Sequence, residues 1–529
     1  MKPKSIFLAV TLGVALLGPP LSLRAAQDVG QHKIRQNGFR TTANCLPSSA
    51  SAELNVNNVR CLLHNGGDMW WDLTNNPRYE VPKVSNPADA RHSAFAASLW
   101  IGGMDNEGNL RVAAQTYRQK GNDFYPGPLT STGAVTPDVC SEWNKMYKID
   151  KAEIDEFRNA YATYLAGGPP VEPGKFPAVM SWPAFGYNAD GRVSLAPFVD
   201  VDGNPQEYSP ANGDYPDIRP MEGGGEPDQA IWWVINDKGD VHTETGGSAI
   251  GLEIQMMAFA FATSNAINDM TFYRYRVINK SGSNLHDTFM GNWADVDLGY
   301  AKDDYVGCDT TRGFGYSYNA DNNDESNLGG YGENPPAFGI DFFQGPLDEF
   351  GRRQDMSRFM YYDNTEGLTG NPEVAAHYYG YLRGFWKDGS QMTYGGNGLH
   401  GSDPVNFMFS GDPGACGIAS GWSELGNGNP ANDRRFLQSA GPFTLQNGAV
   451  NDIIVGAVWA RNTSNAQLGS LCEALTADDL AQALFDAKFE LLEGPDAPEL
   501  TVAEYDQELI LNWTYSSPTS SNNFNERYS

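Results

Sequence analysis

Five aspartates lie within fifteen residues near the middle of the chain, after a run rich in aromatic residues. Calcium in proteins takes about 6–8 oxygen ligands, and neighbouring carboxylates repel one another unless a cation lies between them. The spacing therefore predicts at least one calcium site here. Its ligands would be Asp295, Asp297, Asp303, Asp304 and Asp309. The alternative interpretation is an acidic turn at a sheet edge that water alone solvates.

A second acidic loop has the pattern with which calcium loops begin. Residues 200–204 read Asp-Val-Asp-Gly-Asn, with oxygen-bearing side chains at alternate positions and a glycine that permits a tight bend. The twelfth position is Ala211 instead of glutamate, so the loop is not an EF-hand. The predicted ligands are Asp200, Asp202 and Asn204. A third acidic turn, residues 321–325, is interpreted as plain surface, with metal binding as the alternative.

Support for catalysis in the sequence is weak. A glycosidase needs two carboxylates roughly 5–9.5 Å apart. The least implausible acids are Asp68, beside Trp70 and Trp71, and Glu253 in a predicted strand. The seven histidines are scattered, and the sequence contains no His-Glu-x-x-His, no Gly-x-Ser-x-Gly and no phosphate-binding loop. These absences argue against metalloprotease, acyl-transfer and nucleotide chemistry, and leave open whether the protein is an enzyme.

Charge and aromatic content narrow the range of partners. The net charge is −29, so the chain has no basic surface with which to bind nucleic acid. Aromatic residues make up 12% of the sequence. Exposed rings could stack on sugars, but we favour a place in the core for the tyrosine-rich group. That group is Tyr361, Tyr362, Tyr378, Tyr379, Tyr381 and Trp386.

The N-terminus predicts export. Lys2 and Lys4 precede an apolar run over residues 6–17, and two alanines at 25–26 offer a cleavage site. Residues 1–26 are therefore interpreted as a signal peptide. No other stretch approaches the roughly 18 apolar residues of a membrane helix, so we expect no membrane span.

The cysteines also suit an oxidising compartment. Six remain after the signal peptide, which permits three disulfides in fifteen pairings. Cys45 and Cys61 are the nearest in sequence and are predicted to pair. None forms a Cys-x-x-Cys motif, which argues against zinc.

The predicted elements are mostly strands. Three strand-like runs lie between residues 252 and 309, and residues 93–117 predict a β-hairpin. Helical spacing marks residues 150–166, with a capping box at the start, and residues 476–491, with Thr476 as the cap. We therefore predict a mainly β protein. Residues 27–493 would form a large antiparallel β-sandwich or jelly-roll-like unit with insertions and a few helices.

Residues 494–529 predict the start of another domain. A proline-rich entry precedes two strand-like runs, residues 498–502 and 509–513, and the second run ends in Trp513. This order resembles a fibronectin type III domain, which needs roughly 90–100 residues. We therefore expect the chain to be the N-terminal part of a longer protein.

Several motifs together resemble a family. Their joint order is similar to that of large secreted proteins of Bacteroidetes-type bacteria, which carry a fibronectin-like region and a sorting signal for type IX secretion. The resemblance implies export to the outer surface and implies no activity. It covers nearly all of residues 55–500. The motifs are Ala-Ser-Leu-Trp-Ile-Gly-Gly at 97–103, Ala-Ala-Gln-Thr-Tyr-Arg at 113–118, Asp-Phe-Tyr-Pro-Gly-Pro at 123–128, the aspartates at 295–309, and Pro-Pro-Ala-Phe-Gly-Ile-Asp-Phe-Phe-Gln-Gly-Pro at 335–346.

Two functional hypotheses follow. The first is an exported, non-catalytic structural or adhesive protein of the cell surface, stabilised by calcium, with self-assembly as a further option. The second is a carbohydrate-binding or polysaccharide-degrading secreted protein. Both imply a cell-surface or extracellular protein or glycan as the partner. A deep cleft with two close, partly buried acids would favour the second hypothesis.

Overall fold

Two antiparallel β-sheets lie face to face and bury a common apolar core. The structure is a computed structural model, and it describes residues 43–414, 416–464 and 466–491 together with the backbone of 499–505 and 508–514. The predicted class, a mainly β antiparallel sandwich with a few helices, is confirmed.

Twenty-seven strands and six α-helices occur in the described residues. The strands are β1 (Ser51–Leu54), β2 (Arg60–His64), β3 (Asp68–Met69), β4 (Tyr79–Glu80), β5 (His92–Ala94), β6 (Ala96–Met104), β7 (Leu110–Ala113), β8 (Tyr125–Pro126), β9 (Tyr147–Asp150), β10 (Phe185–Asn188), β11 (Gly191–Ser194), β12 (Phe198–Val199), β13 (Tyr215–Pro216), β14 (Gln229–Asn236), β15 (Leu252–Ala260), β16 (Thr271–Asn279), β17 (Leu285–Asp295), β18 (Asp304–Asp309), β19 (Phe314–Asn319), β20 (Asn323–Asp324), β21 (Gly332–Glu333), β22 (Ala337–Gln344), β23 (Arg358–Asp363), β24 (Arg434–Leu445), β25 (Val450–Ala460), β26 (Glu499–Tyr505) and β27 (Glu508–Thr514). The helices are α1 (Pro137–Glu142), α2 (Lys151–Leu165), α3 (Pro177–Met180), α4 (Ala375–Leu382), α5 (Glu424–Asn427) and α6 (Ala466–Asp486).

The first sheet has ten strands, in the order β23-β24-β17-β6-β3-β2-β4-β5, with β1 beside β2 and β7 beside β6. The second sheet has nine, in the order β18-β19-β22-β25-β16-β15-β14-β8, with β9 also beside β14. The chain changes sheets after β17, because β17 belongs to the first sheet and β18 to the second. The predicted hairpin is confirmed as β6 and β7, which pair antiparallel.

Both faces of the second sheet are largely covered, and β16 shows how the sequence achieves this. Side chains alternate between the two faces of a strand. Tyr273, Tyr275 and Val277 point into the core shared with the first sheet. Phe272, on the other face, packs in a second apolar cluster, and Arg274, two residues further along the strand, lies on that same outer face.

Aromatic rings fill the shared core, and several of them pair their polar atoms with one another. Trp100 and Trp293 stack with their ring centroids 5.8 Å apart. Trp293 Nε1 donates a hydrogen bond to the Tyr362 hydroxyl at 2.7 Å, and Trp70 Nε1 donates to the Tyr273 hydroxyl at 2.9 Å. Each of these two indole N–H groups therefore keeps a hydrogen-bond acceptor although it is buried.

The second cluster lies on the outer face of the second sheet, under α2, α3 and α6. Phe489, just beyond α6, packs with its ring centroid 5.1 Å from that of Phe259 and 5.4 Å from that of Phe272. The helices therefore form a third layer over the sandwich.

Both predicted helices exist, and the first starts where predicted, with Asp150 as its N-cap residue, but the predicted side-chain caps are wrong and the second helix starts earlier. Asp150 precedes α2 without a side-chain cap, because its Oδ1 accepts a hydrogen bond from Gln229 Nε2 in the neighbouring strand. α6 begins at Ala466, ten residues before Thr476, and the Thr476 hydroxyl donates to the Cys472 carbonyl inside the helix. The side chains of Asp150 and Thr476 therefore make other hydrogen bonds in place of the predicted caps.

The predicted Cys45–Cys61 disulfide is wrong. The disulfides are Cys45–Cys140 and Cys416–Cys472. Cys61 is a free, buried thiol in β2, with its Sγ atom 3.6 Å from the Tyr273 hydroxyl in the shared core. Because alternation in β2 turns Cys61 inward, its closeness to Cys45 in sequence brings no contact.

The tyrosine-rich group lies in the core, as favoured. Its members are each at most 4% exposed: Tyr361, Tyr362, Tyr378, Tyr379, Tyr381 and Trp386. They cannot form an exposed platform for sugar rings.

The two ends of the chain are only partly described. The predicted signal peptide, residues 1–26, lies outside the described residues. In the C-terminal region β26 and β27 pair antiparallel, with Leu500 opposite Trp513. The fibronectin-like domain therefore stays a prediction.

Candidate metal centres

The end of β17 brings together acids that are distant in sequence. Asp295 is the last residue of β17, between Ala96 of β6 and Arg435 of β24. One carboxylate oxygen from each of Asp295, Asp297 and Asp433 lies within 4.8 Å of the others. We call these three residues the Asp295 cluster. Asp433 directly precedes β24, so sheet pairing is what brings it to the end of β17.

One arginine partly neutralises this cluster. Asp295 Oδ2 accepts hydrogen bonds from Arg435 Nη2, at 3.1 Å, and from the Tyr117 hydroxyl. Arg435 also pairs with Asp433. Three carboxylates thus surround one guanidinium and leave a formal surplus of two negative charges.

Two oxygens of the Asp295 cluster have no donor. Asp295 is 1% exposed, and its Oδ1 atom has no hydrogen-bond partner in the described part of the protein. The same holds for the buried Oδ1 of Asp297. Burial raises the pKa of Asp295 to about 7, against the opposing effect of Arg435. Burial also raises the pKa of Asp297, and the charges of Asp295 and Asp433 raise it further.

A second group, which we call the Asp303 cluster, consists of Asp303, Asp324 and Glu325, again with one oxygen from each within 4.8 Å. Both carboxylate oxygens of Asp303 and Oε2 of Glu325 are buried without a hydrogen-bond partner among the described residues. Burial raises the pKa of Asp303 to about 8, with Glu325 adding to the rise.

The backbone wraps closely around Asp324. Its Oδ1 accepts the Tyr300 N–H at 2.9 Å, and its Oδ2 accepts the Tyr331 N–H. A Cβ atom on Gly299 would lie 2.0 Å from Oδ2, and one on Gly330 would lie 2.1 Å from Oδ1. Only glycine permits such an approach, so these two positions fix the Asp324 carboxylate in place.

Asp304 lies between the two clusters. It is fully buried, and its Oδ2 accepts the Leu298 N–H at 3.0 Å, while Oδ1 has no partner among the described residues. Burial raises its pKa, and the charges of Asp303, Asp297 and Asp324 raise it further.

The five predicted aspartates do not converge on one point, because Asp295 and Asp297 lie in one cluster and Asp303 in the other. Asp304 and Asp309 are the two ends of β18, and five steps of a strand span roughly 16 Å. Asp309 instead binds the hydroxyl of Thr311 at 2.6 Å and pairs with Arg312. These contacts outweigh its burial and lower its pKa.

A buried acid lies beside the predicted loop at 200–204. Asp200 and Asp202 are joined by Asp214, which is fully buried. Asp200 Oδ1 accepts the N–H groups of Gly203 and Asn204 at 2.8 and 3.0 Å.

The oxygens of this loop are largely used within the loop. Asp202 Oδ1 accepts the Asn204 N–H, and its Oδ2 accepts from Asn212 Nδ2 at 2.6 Å. Asn204 itself is exposed, and its Oδ1 accepts the Gln206 N–H at 3.4 Å. Hydrogen bonds alone therefore account for the shape of the loop.

Sequence reasoning missed several cluster members. Asp433 and Asp214 carry no local signal, because they join their partners only through tertiary structure. The turn at 321–325 was interpreted as surface, which is wrong for Asp324, a fully buried residue. The run of Asn and Asp residues there was the available signal.

Both acids considered for catalysis form an ion pair with a cationic side chain. Asp68 pairs with Arg118 at 2.8 Å and accepts from Trp71 Nε1. Glu253 pairs with Lys280 at 2.6 Å and accepts the Leu129 N–H at 2.9 Å. Each side chain is almost completely buried and has a structural partner, which disfavours a role as a free general acid.

No protein-family model and no curated protein matches the chain. None of the described helices is both long enough and apolar enough to cross a lipid bilayer. The geometry of the acidic clusters is therefore the main evidence about function.

Proposed function

We propose that the protein is an exported, non-catalytic structural or adhesive β-protein of the cell surface or extracellular space, stabilised by calcium at the Asp295 and Asp303 clusters. Its partner would be another surface protein or a glycan. The observation that carries the proposal is a set of buried carboxylate oxygens without donors, at the place where the chain passes from the first sheet to the second. These oxygens are Oδ1 of Asp295, Asp297 and Asp304, both oxygens of Asp303, and Oε2 of Glu325.

An unpaired buried charge is costly, so these oxygens need a cation or a proton. The ligand sets contain only oxygen, without nitrogen or sulfur, which suits a hard cation. Calcium accepts irregular sets of carboxylates and carbonyls, whereas magnesium demands near-octahedral geometry and retains water. Three carboxylates, partly bidentate, with backbone carbonyls would supply the about 6–8 oxygens that calcium takes.

A cation at the Asp295 cluster would join separate parts of the fold. It would connect the end of β17 with Asp433 at the start of β24, and Asp297 in the connection to the second sheet. At the Asp303 cluster it would connect the start of β18 with the turn after β20. Calcium would thereby stabilise the junction of the two sheets.

Three observations support an exported and non-catalytic role. The two disulfides are typical of proteins that mature in an oxidising compartment. The N-terminal sequence has the features of a signal peptide. Asp68 and Glu253, the acids considered for hydrolysis, are neutralised by Arg118 and Lys280.

The test is thermal unfolding with and without a calcium chelator, after which calcium or magnesium is added back. We expect the midpoint to fall on chelation and to recover with calcium more than with magnesium, because binding to the native state alone stabilises it. Asp433→Asn should weaken the response, whereas Asp321→Asn, on an exposed turn residue, should keep it. A calcium-free purified protein whose midpoint ignores both chelator and calcium would refute the proposal.

Carbohydrate binding is the second candidate function. The observation that favours it is a groove lined by two arginines on the outer face of the second sheet.

A further inference from the structure

A groove lies on the outer face of the second sheet, beside Ser194 at the end of the β10–β11 hairpin and residues 195–197 just beyond it. Its cavity volume is about 430 Å³. That volume is within the ~300–1,000 Å³ range of small-ligand pockets. Six of the side chains that line the groove are Ser194, Trp232, Gln255, Met257, Arg274 and Arg276.

Strand pairing places these side chains in two rows across the floor. Gln255 of β15 lies opposite Arg276 of β16, which lies opposite Asp452 of β25. In the next row Trp232 lies opposite Met257, and Met257 opposite Arg274. The floor is thus built from rigid central strands, which position polar groups more precisely than loops do.

Two guanidinium groups share one carboxylate in this groove. Asp452 Oδ1 accepts hydrogen bonds from Arg274 Nε at 2.9 Å, and its Oδ2 accepts from Arg276 Nη1 at the long distance of 3.4 Å. Arg353 adds a third positive charge nearby, with its Nη1 donating to the Asp452 carbonyl at 3.1 Å. The groove therefore has a local surplus of positive charge on a chain whose net charge is −29.

Arg276 has donors to spare. Its side chain is 41% exposed, and in the described residues the bond to Asp452 is its single hydrogen bond. A guanidinium carries five N–H groups in a planar fork that matches carboxylate and sulfate geometry. The free N–H groups of Arg276 can therefore receive an oxyanion in the groove.

The nearby acid Glu253 does not cancel this surplus. Lys280 pairs with its Oε2 at 2.6 Å, and Gln255 Nε2 donates to its Oε1 at 2.9 Å. The amide of Gln255 is thereby oriented, and its carbonyl oxygen remains an acceptor for a ligand hydroxyl.

We propose that this groove binds an anionic saccharide, whose carboxylate or sulfate group pairs with Arg276 and Arg274. The floor is the face of central strands whose backbone groups are already paired, so a peptide would find no sheet edge to extend. Sugar hydroxyls need side-chain partners only, and Gln255 and Ser194 supply them. This proposal stands apart from the calcium clusters, and its test uses calcium-saturated protein, so that failure of one leaves the other in place.

The experiment is calorimetric titration of the full chain with three oligosaccharides of equal length: one of uronic acids, one sulfated and one neutral. We expect an acidic ligand to bind, the neutral one to bind at least about tenfold more weakly, and affinity to fall with added salt. The stronger of the two acidic ligands identifies the anion as carboxylate or sulfate. Equal affinity for all three, or tighter binding of a poly-glutamate peptide, would overturn the proposal.

Variants locate the binding in the groove. Arg276→Gln should lower affinity by about 10- to 100-fold, since a hydrogen bond to a charged group contributes that much, and Arg276→Lys should lower it less. Asp452→Asn should raise affinity, because the competing carboxylate is gone.

The matched control is Arg78→Gln. Arg78 is 42% exposed and also pairs with one aspartate, Asp72, but it lies by the first sheet. The control should bind as the wild type does. An Arg276→Lys protein that melts normally and binds with unchanged affinity, or an Arg78→Gln protein that loses binding, would overturn the proposal.

Discussion

Asp341 of β22 and Asp478 of α6 form a buried carboxyl pair, and Asp341→Asn tests its effect. Each side chain is at most 1% exposed, and Oδ2 of Asp341 and Oδ1 of Asp478 are buried without a hydrogen-bond donor among the described residues. The charge of Asp341 raises the pKa of Asp478, and two neighbouring buried carboxyl groups avoid repulsion only when one holds a proton. The pair therefore attaches the longest helix to the second sheet in a way that depends on pH.

The sign and size of the effect follow from the pKa. Burial raises the pKa of Asp341 from 3.8 to about 7, and it raises that of Asp478 as well. The folded state thus holds a proton that the unfolded chain releases near pH 4, so stability falls as the pH rises from about 4 to 7. With a pKa of about 7 in the folded state against 3.8 for the free acid, ionisation of Asp341 lowers the free energy of unfolding by at most about 4 kcal/mol above pH 7.

Asparagine resembles the protonated acid and cannot ionise. We therefore expect Asp341→Asn to raise the free energy of unfolding by at most about 1–2 kcal/mol at pH 5 and by up to about 4 kcal/mol at pH 8. Urea unfolding, followed by tryptophan fluorescence in saturating calcium, measures both values. Asp486→Asn, at the exposed end of α6, is the control and should shift stability by less than about 0.5 kcal/mol at either pH. A wild-type-to-variant difference that is the same at pH 5 and pH 8 would refute a shared proton.

Three further predictions concern the clusters and the covalent framework. Calcium should bind more tightly at pH 8 than at pH 6, because burial raises the pKa of Asp303 to about 8 and calcium must displace that proton. Calorimetry in two buffers measures the proton release, and pH-independent binding would contradict the prediction. Gly330→Ala should destabilise the fold by about 1–3 kcal/mol, because the added Cβ would clash with Asp324. Gly174→Ala, whose added Cβ meets nothing within 4 Å, is the control, and equal urea midpoints for the two variants would contradict the close packing around Asp324. Replacing both Cys416 and Cys472 by serine should cost about 4 kcal/mol in urea unfolding, because their separation of 56 residues closes a long loop, and an unchanged midpoint would contradict that.

The acid and base surpluses lie at different parts of the fold. At the Asp295 cluster Arg435 pairs with two of the three carboxylates, and at the groove two arginines share Asp452. Most other arginines in ion pairs have an acid of their own, as Arg111 has Asp105 and Arg219 has Asp217. At these two places the charges of the protein do not compensate one another, so binding of an ion of opposite charge is most favourable there.

The sequence by itself determined the class of the fold and the existence of most elements. Alternating apolar residues and frequent turns are local signals, and strands such as β6 and β16 follow from them directly. It also located the aspartates at the exit of β17, because their density is visible without any structure. The helix over 151–165 was equally clear from its apolar spacing.

Only the tertiary structure decided which acids meet. β17 and β18 belong to different sheets, so Asp295 and Asp303 fall in separate clusters, and Asp433 and Asp324 complete them from elsewhere in the chain. The same holds for Cys45, which pairs with Cys140 because β2 turns Cys61 into the core. Local patterns specify the direction of a side chain within its own strand, whereas its neighbours across sheets depend on long-range pairing, and no short stretch of sequence encodes that.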